Sequence, residues 1–232
     1  MYRLMREATW PVEYLGLATQ QAGLRDLPTG DGHTVVVAPG LMAADASTTL
    51  LRRFLRAKRY AARTWGLGRN RGSVTQFDRF VEEVDRTAAR AGAPVSLVGH
   101  SLGGIAARWV AHNRPDAVRQ VITIGSPFRQ DPRQSAIFPF YQLVGGVRRS
   151  DFTDERLAAI SATPVVPATS IVSVDDRIAP PAAGYQPPGV TSETVEITGS
   201  HSGLVGNSAA WSIIADRLAQ PTGVWQPYVS PA

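Results

Sequence analysis

Short runs of apolar, β-branched residues alternate along this chain with longer stretches whose apolar positions recur every three or four residues. The first run, Thr34-Val-Val-Val-Ala38, is apolar at successive positions, which predicts a strand buried on both faces; Pro39-Gly40 stops it. Ser47 or Thr48 can cap a helix reaching to about residue 57, and residues 60–65 read as a second strand. Over residues 76–91, Phe77, Phe80, Val81, Val84 and Ala88 share one helical stripe, which Gly92 ends. A strand at 94–98, a helix at 105–112 and a strand at 118–124 follow. Strands buried on both faces and separated by helices predict a parallel sheet with helices packed on each side.

The rhythm breaks over residues 125–167, where prolines and glycines are frequent and Phe128, Phe138, Phe140, Tyr141 and Phe152 gather. This excursion either packs a small core of its own or forms a cap that walls an apolar pocket. Regular pattern returns with a strand at 169–174. Residues 191–198 alternate Thr194, Glu196 and Thr198 with Val195 and Ile197, as an outer strand does. Asn207 or Ser208 then caps a last helix running to residue 218. Residues 7–20 hold a short amphipathic segment.

A length of 232 residues suits one hydrophobic core. One domain is therefore expected over 1–232, with 126–167 as a cap or lid excursion within it. Hydrophobic residues make up 44% and charged residues 19%, a globular and not a disordered balance. Cysteine is absent, which excludes disulfides and thiolate metal sites; the four histidines form no His-x-x-x-His pair, so neither a metal nor a cofactor is expected. The N-terminal residues lack a continuous apolar stretch and carry Glu7 and Glu13, unlike a signal peptide, and no 18-residue apolar window exists. A cytoplasmic location, or a leader already removed, is the expectation.

The net charge is +5, mostly arginine. Arg52, Arg53, Arg56, Lys58, Arg59 and Arg63 lie close together and read as a solvated helix face. No aromatic platform is interleaved with them, so a nucleic-acid partner is not expected; contact with an anionic membrane surface is the lesser alternative.

The candidate chemistry begins at Gly99-His100-Ser101-Leu102-Gly103, a G-x-S-x-G string between a strand and a helix. A nucleophilic serine on such a turn must stand clear of the sheet on crowded backbone, and glycines two residues away on either side remove Cβ atoms from the crowding. The helix that follows aims its free N–H groups at the reaction centre. Gly125-Ser126-Pro127 lacks the second glycine and reads as structural.

A serine hydroxyl needs a base with a pKa near the working pH, which points to histidine, and that histidine needs an acid to fix its tautomer. His201 sits in the small-residue loop Gly199-Ser-His-Ser-Gly203 and is the candidate base. His100 adjoins the nucleophile and reads as a packed scaffold residue. His33 precedes the first strand, and His112 lies on the flank of a helix. For the acid, Asp175 and Asp176 both lie at the end of a strand between Ser101 and His201; alternation along a strand lets one of the two face His201. Asp131, Asp151 and Asp154 are outlying candidates. The two N–H donors of an oxyanion hole fall to Leu102, which follows the nucleophile, and to Leu41, in the loop after the first strand that Gly40 allows to turn close.

The strings VVVAPGLM (35–42), VSLVGHSLGG (95–104), VITIGSPF (121–128), SVDDRIAP (173–180) and GSHSGL (199–204) resemble those of α/β-hydrolases of the bacterial lipase and esterase group. That resemblance implies a central, mostly parallel sheet flanked by helices, with Ser101 as nucleophile and His201 as base. It favours Asp176 over Asp175, because the acid in such enzymes commonly opens a D-x-x-V-P string. It implies a small acyl ester or lipid as substrate, hydrolysed through an acyl-enzyme, with an acyltransferase or thioesterase as the alternative and a non-catalytic ligand-binding module as the rival from another class. Two stretches depart from the pattern. Pro39 stands where a histidine usually precedes the glycine, and Trp65-Gly-Leu-Gly-Arg-Asn-Arg-Gly72 is either a rigid loop or an arginine rim beside the pocket.

Overall fold

The computed structural model describes residues 21–135 and 138–230; the amphipathic segment at 7–20 lies outside the described residues. In chain order the elements are α1 (Gln21–Arg25), β1 (Thr34–Ala38), α2 (Thr49–Ala57), β2 (Ala61–Thr64), α3 (Val74–Ala91), β3 (Val95–His100), α4 (Leu102–Asn113), β4 (Val118–Ile124), α5 (Phe138–Gly145), α6 (Asp154–Ser161), β5 (Ala168–Ser173), α7 (Pro181–Gly184), β6 (Ser192–Ile197) and α8 (Ser208–Ala219). The strands form one parallel sheet in the order β2-β1-β3-β4-β5-β6.

The central strands β1, β3 and β4 divide their side chains between two cores, which is why they read as largely apolar runs. Val35 and Val37 of β1 face one side with Leu51 and Leu55 of α2 and Ile213, Ile214 and Leu218 of α8. Val36 and Ala38 face the other with Phe77, Phe80 and Val84 of α3 and Ala107, Val110 and Ala111 of α4. Each such aliphatic side chain taken from water contributes about 1.5–3 kcal/mol, so the two cores supply most of the drive to fold. Helix α3 starts two residues before the expected residue 76 because Ser73 caps it, its side chain accepting from Gln76 N–H at 3.3 Å; Gly92, at φ +66°, ends it.

The chain leaves β1 outward to β2, then returns across β1 to β3. This reversal puts the carboxyl ends of β1 and β3 side by side, with Ala38 opposite Gly99, and opens a crevice above them. The loops after β1, β3, β5 and β6 all emerge at that end of the sheet.

Residues 126–167 are more regular than the sequence suggested, since they carry α5 and α6. Phe138, Tyr141 and Val147 pack together with Phe152 and rest on Leu41 and Leu102. Phe140, expected in this cluster, is 53% exposed instead, because it lies on the outer face of α5. Tyr141 Oη donates to Gly72 O at 2.5 Å, which docks α5 on the loop before α3. Helix α6 is held from below by the buried Arg108 of α4. Its guanidinium donates to Ile160 O at 2.6 Å, Ala162 O at 2.5 Å and the Gln186 side-chain oxygen at 2.5 Å, and lies 3.7 Å from the centre of the Phe128 ring. Burial pulls the Arg108 pKa down to about 9.

The basic stretch is not the uniformly solvated face the sequence suggested. Arg52 and Lys58 are buried: Arg52 donates to Asp45 O and the Thr48 hydroxyl, and Lys58 to the carbonyls of Arg25 and Leu27. Their apolar stems fill core space while the cations satisfy loop carbonyls, and only Arg53, Arg56, Arg59 and Arg63 remain on the surface. Among the described residues no helix is long and apolar enough to cross a membrane.

Candidate active site

Ser101 occupies the step between β3 and α4 with φ +52° and ψ −121°, a conformation that L-residues rarely adopt. Close packing on every side enforces it. A Cβ at Gly103 would stand 2.6 Å from Pro39 O, and one at Gly104 would stand 2.9 Å from Gly99 O and run into Ser126. Gly99 would likewise drive a Cβ into the first turn of α4. The glycines thus let α4 start against the ends of β1 and β3, and the serine absorbs the strain.

His201, in the loop after β6, is buried, with Nε2 3.0 Å from Ser101 Oγ. Its Nδ1 is 2.6 Å from Asp176 Oδ2. Asp176 lies just past β5 and is 3% exposed; its second oxygen accepts from the N–H groups of Ile178 at 2.8 Å and Ala179 at 2.7 Å. Asp175, half-buried, precedes it in the same turn. With Nδ1–H donated to the carboxylate, Nε2 carries the lone pair that can accept the Ser101 proton. Gly125, at φ +56°, ends β4 directly beneath this pair, where a Cβ would stand 3.2 Å from Asp176 Oδ2 and 2.8 Å from Leu204. The sequence reading had treated that glycine as part of an ordinary structural turn.

His100 Nε2 donates to His201 O at 2.9 Å, so His100 braces the loop that carries His201. Removal from water, helped by neighbouring His201, holds its pKa down to about 3, which keeps it neutral and a donor. The linkage has a definite sign. An unfolded histidine takes a proton below about pH 6.5 and the folded one does not, so stability falls as pH drops below that value. From pH 7 to pH 5 this residue alone is expected to cost about 2 kcal/mol. Urea unfolding at both pH values checks this: His100→Gln should flatten the loss, and an equally steep loss in the variant would contradict the assignment.

The outlying acids are engaged elsewhere. Asp131 and Asp154 pair with Arg133, and Asp151 accepts from Arg148 N–H. His112 is exposed on α4 beside Trp109. His33, set aside on the sequence, makes a second Ser–His–Asp chain at the opposite end of the sheet. Its Nδ1 is 2.5 Å from Asp31 and its Nε2 is 2.8 Å from Ser96 Oγ. Ser96 is wholly buried near the start of β3, with strand and not a sharp turn after it, and is not among the residues that line the cavity above Ser101. The same three residue types therefore tie β1 to β3 there, and the difference lies in the backbone around the hydroxyl.

Above Ser101 opens a cavity of about 450 Å³, of the size that accepts small organic ligands. Leu102, Ile105, Phe128, Phe138, Phe152 and Ile160 give it apolar walls, and Ser101 and His201 lie on its surface. At its inner edge Gly40, Leu41, Met42 and Ala43 form a tight turn closed by Ala43 N–H to Gly40 O at 3.1 Å, with Met42 at φ +59°. A Cβ at Gly40 would stand 3.3 Å from Ser101 Cβ, so the turn passes as near the serine as a backbone can. Among the described residues neither Leu41 N–H nor Leu102 N–H donates to another group. No cluster of three or more His, Cys, Asp or Glu among them is arranged to hold a metal ion.

Residues 74–183 match the family model described as PGAP1-like alpha/beta domain. Two curated proteins, the triacylglycerol lipases of Pseudarthrobacter phenanthrenivorans and Burkholderia plantarii, are each 38% identical over 74 residues, which is 32% of this chain. The match spans only 23% and 21% of their respective lengths. Among solved structures, the monoacylglycerol lipase of Paleococcus ferrophilus superposes with a TM-score of 0.62 at 15% identity, over 83% of this chain and 96% of that one. The thioesterase domain from the curacin biosynthetic pathway gives 0.56 at 13% identity, over 81% and 92%. Together with the parallel sheet and its strand order, these likenesses show that the chain has the α/β-hydrolase fold, and that lipases are among the proteins it is similar to.

Proposed function

We propose that this chain is a serine carboxylic-ester hydrolase acting on small esters with an apolar acyl group, without a cofactor. The observation that carries the reading is the relay Ser101–His201–Asp176, at 3.0 and 2.6 Å, on the surface of an apolar cavity. As Ser101 Oγ bonds to the ester carbonyl carbon, its proton passes to His201 Nε2, and Asp176 stabilises the imidazolium. The carbonyl oxygen becomes an oxyanion held by the N–H groups of Leu41 and Leu102. Collapse breaks the carbon–alkoxide bond, and His201 hands its proton to the leaving alcohol. Water then attacks the acyl-enzyme, giving its proton to His201; the carboxylic acid departs and Ser101 regains its hydrogen. Triacylglycerol and monoacylglycerol lipases among the relatives support an acyl ester as substrate.

Part of the cavity wall, including Phe128, Phe138, Phe152 and Ile160, comes from residues 126–167, which we read as a cap over a single domain. Each acyl methylene buried there is worth about 0.8 kcal/mol, so kcat/KM should rise up to roughly fourfold per carbon until the cavity is full and then fall. A p-nitrophenyl ester series from acetate to palmitate measures this; a flat profile would remove the apolar acyl pocket from the account. Labelling of Ser101 by a fluorophosphonate is expected alongside turnover. Absence of both would return the chain to a non-catalytic ligand-binding module.

A further inference from the structure

We infer that Asn70 is the positioning residue of the oxyanion hole, holding the turn that presents Leu41 N–H to the reaction centre. The inference rests on the esterase reading above. Asn70 belongs to the glycine- and arginine-rich loop 65–72, and it is wholly buried. Its side-chain amide donates to Pro39 O at 2.7 Å, and its side-chain oxygen accepts from Gly72 N–H at 3.0 Å. Its backbone is committed to the same turn: Asn70 O accepts from Met42 N–H at 2.7 Å, and Asn70 N–H donates to Ala43 O at 2.8 Å. One residue therefore engages the turn two residues before Leu41 and at both residues after it.

The bonds leave Leu41 N–H available. Pro39 has no N–H, Met42 N–H is consumed by Asn70 O, and Ala43 N–H closes the turn onto Gly40 O. Leu41 N–H, like Gly40 N–H, is left uncommitted in the turn that lines the cavity with Ser101. Met42 sits in a left-handed conformation that costs free energy for a non-glycine residue, so the turn needs outside support to persist. Asn70 supplies it and is itself held rigid, because Gln76 of α3 accepts from Arg71 N–H at 2.8 Å and donates to Arg69 O at 2.8 Å. The support runs from α3 through Asn70 to the turn. It accounts for a loop that tolerates Pro39, where a bracing imidazole is missing.

The test separates positioning from general stability. Asn70→Ala should lower kcat by about 10–100-fold, less than the 10²–10³-fold typical of deleting a donor outright, with KM changed little. An alkyl boronic acid, whose tetrahedral adduct on Ser101 mimics the oxyanion, should weaken by the same factor, while a neutral ketone of equal chain length, competing as a ground-state ligand, should bind as before. A merely structural role would weaken both ligands or neither. Should the alanine variant not fold, Asn70→Asp, of equal size, serves the same end. Where its carboxyl is ionised it has no proton to offer Pro39 O; its boronate affinity relative to wild type should rise as pH falls and the new carboxyl gains one. Boronate affinity within threefold of wild type in a folded variant, or affinity and kcat that do not change together, overturns the inference. If wild type hydrolyses no ester and Ser101→Ala alters nothing, it is the esterase reading that fails instead.

Discussion

Ser101→Ala is expected to lower ester turnover by about 10³–10⁶-fold while leaving the thermal midpoint close to that of wild type. The two halves of this expectation have different causes. Turnover falls because the hydroxyl 3.0 Å from His201 Nε2 is the one removed, and alanine offers no nucleophile in its place. Stability holds because the strain at φ +52° is set by the packing of Gly99, Gly103 and Gly104, and alanine meets the same strain that serine does. The side-chain hydroxyl makes no cap on α4, so its loss leaves that helix unchanged. Hydrolysis of a p-nitrophenyl ester and a melting curve on the same preparation measure both. A variant that keeps more than a tenth of wild-type turnover would remove Ser101 from the nucleophile's role.

Asp176→Asn is the second large effect, up to about 10⁴-fold in kcat with the fold intact. The geometry explains why an isosteric change does so much. One carboxylate oxygen of Asp176 already accepts two backbone N–H groups, from Ile178 and Ala179. An asparagine keeps its oxygen on those donors and must turn its NH₂ toward His201 Nδ1. A donor facing Nδ1 forces the ring proton onto Nε2, the nitrogen that has to accept the Ser101 proton. Asp175→Asn, one residue earlier in the turn, should stay within a few-fold of wild type. The reverse ranking of the two variants, measured as kcat on one ester, would move the acid to Asp175.

Much of this architecture was readable from local pattern. Valine runs buried on both faces required a layered parallel sheet, since only helices on each side can cover such strands. The stripe from Phe77 to Ala88 gave its helix to within two residues, the error coming from Ser73, whose capping oxygen sets the start at Val74, ahead of the stripe. The elbow was readable for a steric reason, because only glycine fits where helix α4 touches the ends of β1 and β3.

Other features were not readable because they depend on partners remote in the chain. Phe140 was counted in an aromatic cluster because composition cannot say which face of a short helix a ring takes. Arg52 and Lys58 were read as solvated because their acceptors are loop carbonyls, which leave no trace in a charge pattern. Asn70 passed unnoticed because the turn it holds lies some thirty residues earlier in the chain.

The amino-acid string by itself determined the layers of the fold, the place of the sharp turn at Ser101 and the set of residues able to serve it. These follow from side-chain volume, backbone freedom and periodicity, which act over a few residues. The tertiary structure alone decided which carboxylate meets His201, which backbone N–H groups stay uncommitted, and why Ser101 lines a cavity while Ser96, with its own histidine and aspartate, is wholly buried. Those choices are made where strands distant in sequence end side by side, and no local preference encodes the distance between their loops.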